Sequence, residues 1–177
     1  MNLNELRREL DRATHGFPRQ HIQRIAEFRV SYPHNISHYG NPNVFDSDDC
    51  FLYAFGNILP SNLRDGFVNL IEKKHRAFDD ICRDLITEGF LSLHNEKRED
   101  DRIVVYLYGN SVKHFGKIEG DSVVSKWGRG YTWKHGLFEV PLSYGDTVKF
   151  SNGTIDQGVF RRVIETHSKR SDQVKFE

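Results

Sequence analysis

The sequence predicts an α+β fold, with helices in the N-terminal half packed on an antiparallel β-sheet in the C-terminal half. Apolar residues recur at every third or fourth position as far as residue 93, which is the period of an amphipathic helix. From Arg102 onward, short apolar segments are separated by turns rich in glycine, asparagine and aspartate, which is typical of antiparallel strands. Helices followed by strands favour segregated layers over a doubly wound parallel sheet. The length of 177 residues fits a single domain, 1–177.

Composition and charge argue against several classes of function. The 25 basic residues balance 25 acidic ones, so the chain lacks the excess of cations on which a general nucleic-acid binder depends. The sequence has no apolar run of 18 residues, which argues against a membrane partner. The first ten residues form a charged amphipathic segment unlike a signal peptide, so we expect a cytoplasmic protein or delivery by a signal-independent secretion system. Two cysteines, Cys50 and Cys82, make no disulfide framework, and reduced thiols are expected.

The first elements form a helical N-terminal extension, residues 1–44. Leucines at helical spacing predict a helix over 3–13, ended by Gly16 and Pro18, and Pro18 suits the first turn of a second helix. Residues 33–45 are rich in asparagine, proline, glycine and histidine, which predicts a loop. We expect the extension either to pack against the sheet or to cover a cleft as a lid.

The central helices follow an acidic run. Residues 46–49 (DSDD) offer several N-caps for an apolar helix from Cys50 to about Gly56, and Pro60 breaks that helix. Residues 61–93 carry apolar side chains at helical spacing, and Gly89 is a candidate C-cap. The sequence therefore predicts a helical layer ahead of the strands.

The strands are predicted from apolar segments bounded by glycine-containing turns. They cover residues 103–108, 111–118, 123–127 and 141–151. Residues 158–167 are expected to form a last strand or a short helix, and residues 168–177 a frayed tail. The core of the domain is therefore placed in residues 45–165.

Cys50 is the strongest candidate for a catalytic nucleophile. It lies in the first turn of a predicted helix, where unpaired backbone N–H groups and the helix dipole stabilise a thiolate, the nucleophilic form of cysteine. Asp46, Asp48 and Asp49 act in the opposite direction, because nearby negative charge raises the thiol pKa. A small buried side chain at a helix start is the structural alternative.

His114 lies in the middle of a predicted strand and is the candidate general base. A nucleophilic cysteine needs an imidazole that the fold brings close, and a histidine on a strand packed against the Cys50 helix fits that role. Gly116, two residues later, points to the same side of the strand, and its missing side chain is expected to leave room for substrate. The alternative is a half-buried strand histidine with a structural role.

A third polar group is expected to orient the imidazole. If the turn at Gly120 has two residues, position 114 lies opposite Trp127, and Ser125 faces the same side of the sheet as His114. A slip of one residue would place Lys126 there instead. His135, in the loop after Trp127, is another candidate for this role.

Residues 127–134 combine aromatic and cationic side chains. Such a mixture occurs in single-strand nucleic-acid binders, but without a basic background it favours a substrate-groove wall or a packed loop. Lys126, Trp127 and Trp133 are therefore predicted to bind substrate together with Gly116. The nine histidines lack an HExxH pattern, so no metal site and no cofactor is predicted.

Taken together, three segments resemble the papain-like cysteine hydrolases, particularly their compact bacterial branch of cell-wall peptidases and amidases. The run DDCFLYAFG resembles the nucleophile helix, VVYLYGNSVKHFGKIEGDSVVSKWGRG resembles the histidine-bearing hairpin, and YGDTVKF resembles a later strand. The resemblance covers about residues 45–151 and implies a papain-like fold. It places Cys50 at the nucleophile and His114 at the general base. Ser125 stands near the third position, where the family usually has His, Asn, Asp or Gln, and Tyr144-Gly145-Asp146 follows the histidine strand instead of preceding it.

The resemblance implies a thiol-dependent hydrolase or acyltransferase that acts on an amide bond of a peptide or protein. A bacterial toxin or effector is one setting in which such an enzyme would work. The alternative is a catalytically inactive papain-like protein that binds a protein partner, with residues 127–134 as an exposed contact surface.

Overall fold

A six-stranded antiparallel β-sheet with helices on both faces forms the centre of the molecule. The computed structural model describes residues 2–14, 20–40, 49–73, 77–128 and 130–173. The helices in this part of the chain are α1 (Leu3–Thr14), α2 (His21–Ser31), α3 (Cys50–Phe55), α4 (Ser61–Lys73), α5 (Ala77–Thr87) and α6 (Gln157–Gln173). The strands are β1 (Ser37–His38), β2 (Ile103–Tyr108), β3 (Ser111–Glu119), β4 (Ser122–Lys126), β5 (Thr132–His135) and β6 (Thr147–Ser151). Their order in the sheet is β1-β5-β4-β3-β2-β6, and the predicted α+β class is confirmed.

The hairpin of β3 and β4 has the register that the sequence predicts. Glu119 pairs with Ser122 across a two-residue turn, and the ladder continues to Lys117 opposite Val124. The turn begins at Gly120, whose φ of 62° is a conformation that glycine adopts without a steric penalty. A tight turn fixes which side chains share a face of the sheet, and this hairpin carries four of the candidate site residues, His114, Gly116, Ser125 and Lys126.

Phenylalanine side chains hold α3 to α6 against one face of the sheet, here called the first face. Phe51 of α3 is fully buried, and its ring centroid lies 4.4 Å from that of Phe67 on α4. The same ring lies 5.4 Å from Phe115 on β3 and 5.9 Å from Phe160 on α6. Aromatic pairs at such distances contribute about 0.5–1.5 kcal/mol each beyond their burial. This packing fixes α3, and with it Cys50, against β3.

Helix α1 and residues 136–146 cover the opposite, second face of the sheet. Leu6 and Leu10 of α1 are fully buried in a cluster that includes Tyr106 of β2. Arg7 is 4% exposed and donates hydrogen bonds to the carbonyl oxygens of Val140, at 3.3 Å, and of Gly145. Of the two roles expected for the N-terminal extension, α1 therefore takes the first, because it packs against the sheet.

Strand β5 was not expected from the sequence, which predicts a glycine-loosened loop there. Ser125 of β4 pairs with Trp133 of β5, and Lys134 of β5 pairs with Ser37 of β1. Ser37 is distant from Lys134 in the sequence, and Ser125 is separated from Trp133 by a loop. Cross-strand pairing therefore determines that residues 132–135 form a strand, because their local sequence pattern is weak. The expectation of a loop over residues 132–135 is therefore wrong.

The C-terminal segment is also more regular than expected, because α6 is a single helix of 17 residues. Its buried residues recur at helical spacing (Val159, Phe160, Val163 and Ile164). The Asp156 side chain accepts a hydrogen bond from the Val159 N–H at 3.0 Å, which caps the first turn. Of the two alternatives for residues 158–167, the helix is confirmed and the strand is wrong. The expectation of a frayed tail from residue 168 is wrong as far as Gln173.

The helical region predicted over residues 61–93 is divided into α4 and α5. The predicted stop at Gly16 and Pro18, and the caps at residues 46–48, lie outside the described residues. None of the helices in the described ranges combines the length and the apolar character needed to cross a membrane.

Candidate functional site

Cys50 is the first residue of α3, as the sequence predicts. The Asp49 carboxylate caps the helix by accepting a hydrogen bond from the Leu52 N–H at 2.9 Å. The Cys50 side chain is a free thiol in the apolar layer between α3 and the sheet, and the residue is 7% exposed. The start of a helix therefore places a thiol directly against β3.

Opposing influences act on the protonation of this thiol. Burial, followed by the negative charge of Asp49, raises the pKa of Cys50 above its ordinary value of 9.0. Hydrogen bonds from the backbone N–H groups of Phe115, Cys50 and Phe51 lower it. Burial prevails because a charged sulfur would lose its hydration in the apolar layer. The helix N-terminus alone does not produce a thiolate in this structure.

His114 precedes Phe115 in β3, and its side chain lies on the second face of the sheet. Its ring stacks on Tyr144, with centroids 4.1 Å apart and an interplanar angle of 20°, and lies 5.6 Å from the ring of Tyr106. His114 is 1% exposed, and its Nε2 has no hydrogen-bond partner among the described residues. Within the described part of the chain, no hydrogen bond joins this imidazole to Cys50. Ring packing therefore holds His114.

The thiol and the imidazole lie on opposite faces of the sheet, on either side of β3. The backbone N–H of Phe115, the residue that follows His114, is one of the groups that lower the pKa of Cys50. Tyr144 lies within electrostatic range of the same sulfur, because its pKa is raised by burial and then by Cys50. Cys50 therefore lies on the first face of the sheet at β3, and the stacked rings of His114 and Tyr144 lie on the second face.

The imidazole of His114 is held in its neutral form. Burial lowers its pKa well below the ordinary value of 6.5, and the positive charge that His135 would carry lowers it further. A general base must be unprotonated to accept a proton, and the unpartnered Nε2 is free to do so.

Ser125 and His135 form a buried hydrogen-bond chain with Trp127. The Nδ1 of His135 lies 2.8 Å from the Gly136 carbonyl oxygen, which can only accept, so this nitrogen carries the proton. The Nε2 of His135 then accepts from the Ser125 hydroxyl at 2.8 Å, and the Trp127 Nε1–H donates to the same hydroxyl at 3.1 Å. Burial lowers the pKa of His135 to about 4, in agreement with this neutral form.

The two candidates for the third catalytic position thus bond to each other. In the part of the chain that the structure describes, no hydrogen bond connects His114 to Ser125 or to His135. Ser125 shares the second face with His114, as the predicted register requires, and Lys126 lies on the other face of β4, where it is 1% exposed. The one-residue slip in strand register that would exchange Ser125 and Lys126 is therefore excluded. The described residues nevertheless do not form a Cys-His-Ser triad.

The expectation that Gly116 leaves room for substrate is wrong. A Cβ atom added at Gly116 would lie 2.5 Å from Val123 Cγ1, 3.2 Å from Val104 Cγ1 and 3.3 Å from Ser125 Cβ. The space beside this glycine is filled by its neighbours on adjacent strands. Gly116 of β3 therefore allows side chains of β2 and β4 to pack closely against it, and its role is structural.

Gly116→Ala is expected to lower the free energy of unfolding by about 1–3 kcal/mol, because the added methyl group overpacks the core. The double change Gly116→Ala/Val123→Ala removes the obstructing atom and should cost less than the sum of its two single changes. Urea unfolding of the wild type, both single variants and the double variant measures this coupling. Equal stability of Gly116→Ala and wild type would mean that the space is open after all.

The aromatic residues of segment 127–134 are buried. Trp127 and Trp133 are each 2% exposed, with ring centroids 5.4 Å apart, and Tyr131 is 7% exposed. The expectation of an exposed aromatic contact surface is wrong for these residues, because the second face of the sheet needs large side chains to fill the space beneath α1. Substrate binding by Trp127, Trp133 and Lys126 stays a prediction.

Tyr144 is the site residue that the sequence does not single out. It lies in a short 3₁₀ turn, Leu142–Tyr144, ahead of β6, and it reaches His114 across the second face of the sheet. No local pattern marks such a contact, because the turn and β3 are joined only by tertiary packing. Its neighbour Gly145 is the available signal, since glycines often mark close backbone approach.

The described ranges contain no group of three or more His, Cys, Asp or Glu residues that could hold a metal ion. Comparisons with protein-family models, with curated proteins and with solved structures found no match in any of the three. The resemblance to papain-like hydrolases therefore stays a prediction.

Proposed function

We propose that this protein is a thiol-dependent hydrolase or acyltransferase that acts on an amide bond of a peptide or protein. Cys50 is the nucleophile and His114 the general base. The observation that carries the proposal is that Cys50, at the start of α3, packs directly against β3, the strand that carries a buried histidine whose Nε2 has no partner among the described residues. A buried nitrogen without a hydrogen-bond partner calls for an explanation, and a catalytic role is one such explanation.

The protonation states of the pair suit proton transfer during attack. Since burial keeps the thiol protonated and His114 neutral, the resting state is a neutral pair and not an ion pair. The thiol and the imidazole lie on opposite faces of β3 in this structure, so the proposal requires α3 or β3 to shift until both groups face the substrate. The proton then passes from the Cys50 sulfur to the imidazole as the sulfur–carbon bond forms at the carbonyl. The imidazolium then protonates the leaving amine, and the thioester passes its acyl group to water or to another acceptor.

The backbone N–H groups around Cys50 supply the charge stabilisation. Those of Cys50, Phe51 and Phe115 offset the burial of a negative sulfur, and a developing oxyanion at the start of α3 would be stabilised in the same way. Ser125 and His135 are satisfied by each other and form a fixed wall beside His114. In this proposal they take no part in moving the proton.

Acyl transfer from p-nitrophenyl acetate tests the proposal. We expect an acetyl group on Cys50, detected by peptide mass spectrometry, and a reduction of its rate of formation by about 100-fold or more in His114→Ala. Cys82 is an internal control, because it is a second buried thiol whose pKa is raised by burial first. His94→Ala is the matched variant, since His94 bonds to Asp101 outside the site, and it should acylate at the wild-type rate.

A catalytically inactive, papain-like protein that binds a protein partner is the second candidate. The observation that favours it is the raised pKa of both cysteines, because neither thiol is ionised in the resting structure. If Cys50 acquires no acetyl group, or acquires it no faster than Cys82 and independently of His114, the hydrolase proposal is overturned and the binding protein is favoured.

A further inference from the structure

Tyr144 covers the imidazole of His114. The two rings are nearly parallel at 20°, with centroids 4.1 Å apart, and Tyr144 keeps part of its surface exposed whereas His114 is 1% exposed. The phenol therefore restricts the tilt of the imidazole and separates it from solvent.

Helix α1 holds the turn that carries Tyr144. Arg7 donates to the carbonyl oxygens of Val140 and Gly145, on either side of the 3₁₀ turn. One turn further along α1, the Asp11 carboxylate accepts from the Ser143 N–H at 3.1 Å and from the Ser143 hydroxyl at 2.6 Å. The turn is thus bonded to α1 at three backbone positions.

These contacts replace the hydrogen bond that a third catalytic residue would make. An imidazole that acts as a base must present its accepting nitrogen in a fixed direction, and small misplacements cause large losses of rate. Among the described residues, no side chain hydrogen bonds to His114, so stacking is the contact that determines its ring plane. Ser125 and His135 are occupied with each other.

We propose that Tyr144 is the positioning residue of this site, and that Arg7 of α1 keeps it in place. Tyr144 orients the imidazole of His114 by stacking, so its aromatic ring is essential and its hydroxyl is secondary. This inference rests on the proposed function for its catalytic consequence. The orientation of the imidazole itself is measurable whether or not Cys50 reacts.

The experiment compares Tyr144→Phe, Tyr144→Leu and Arg7→Met with the wild type. Phenylalanine keeps the stacked ring, leucine removes it, and Arg7→Met removes the bonds to the turn without touching Tyr144 or His114. Arg12→Met is the matched control, because Arg12 lies on the same helix, is exposed and pairs with Glu9. Two readouts are taken: the imidazole proton resonances of His114, assigned with His114→Gln, and the pH dependence of Cys50 acetylation.

We expect Arg12→Met to keep the wild-type resonance and pH profile, and Tyr144→Phe to keep the ring-current shift of the His114 resonance with a smaller loss of rate than Tyr144→Leu. Tyr144→Leu should lose the ring-current shift of the His114 resonance and acetylate Cys50 about 10–100-fold more slowly, with a displaced pH profile. Arg7→Met should change both readouts in the same direction with thermal unfolding still cooperative.

An unchanged His114 resonance in both Tyr144→Leu and Arg7→Met would overturn the positioning role. A loss of activity in Tyr144→Phe equal to that in Tyr144→Leu would also overturn it, since the hydroxyl and not the stack would then matter. If wild-type Cys50 does not react, the proposed function fails, and the resonance alone decides whether Tyr144 orients His114.

Discussion

Lowering the pH from about 7 to about 4 is expected to remove about 3 kcal/mol of stability through His135 alone. Burial lowers the pKa of His135 from 6.5 to about 4. Between these pH values the unfolded chain binds a proton at this side chain and the folded protein does not. The stabilising contribution is therefore complete above about pH 6.5 and is lost progressively as the pH falls towards 4. His114 acts in the same direction, because burial lowers its pKa as well.

Urea unfolding at a series of pH values measures this loss. We expect the free energy of unfolding to fall steeply between about pH 6.5 and 4 in the wild type, and less steeply in His135→Gln and in His114→Gln. Each substitution removes one titrating group from the second face of the sheet. A slope that is the same in all three proteins would contradict the burial of neutral imidazoles at this site.

Gly145→Ala is expected to destabilise the protein by about 4 kcal/mol or more, because it combines backbone strain with a collision. Gly145 has φ 115° and ψ 167°, a region that residues with a side chain rarely adopt. A Cβ atom there would lie 2.2 Å from the Leu107 carbonyl oxygen and 2.5 Å from its carbon. Backbone atoms at the end of β2 have no rotamer by which to move away, so β2 or the Tyr144 turn must shift.

Gly109→Ala is the matched control for Gly145→Ala. Gly109 also has a positive φ, 56°, but no described atom lies within 4 Å of the added Cβ. It should cost about 1–2 kcal/mol, the usual penalty for a side chain in the left-handed region. Chemical denaturation of both variants separates strain from collision. Equal losses would mean that the close approach of Gly145 to β2 is not tight.

Local signals made part of the site predictable. The start of α3 follows from an aspartate that accepts the Leu52 N–H, and the register of β3 and β4 follows from a two-residue turn at Gly120. Both depend on residues that are close together in the sequence. These local signals are sufficient to place Cys50 at a helix start and Ser125 on the same face of the sheet as His114.

Contacts between distant segments decide the rest. Strand β5 exists because β4 and β1 pair with it, and Gly116 is a glycine because Val123 and Val104 crowd it from adjacent strands. The protonation of Cys50 depends on burial by α3 and the sheet, which outweighs the helix N-terminus. No spacing rule within one segment encodes such effects, because they arise only after the layers assemble.

The attachment of α1 has a consequence for the order in which the chain acquires its structure. Arg7 is bonded to Gly145, a sequence separation of 138 residues. During synthesis from the N-terminus, α1 leaves the ribosome early, yet the surface that receives it is completed only after residues 103–145 have emerged. Helix α1 can therefore dock only late in folding, and forming contacts between segments so distant in the sequence slows folding. The stacked pair of His114 and Tyr144 is therefore among the last features of the molecule to form.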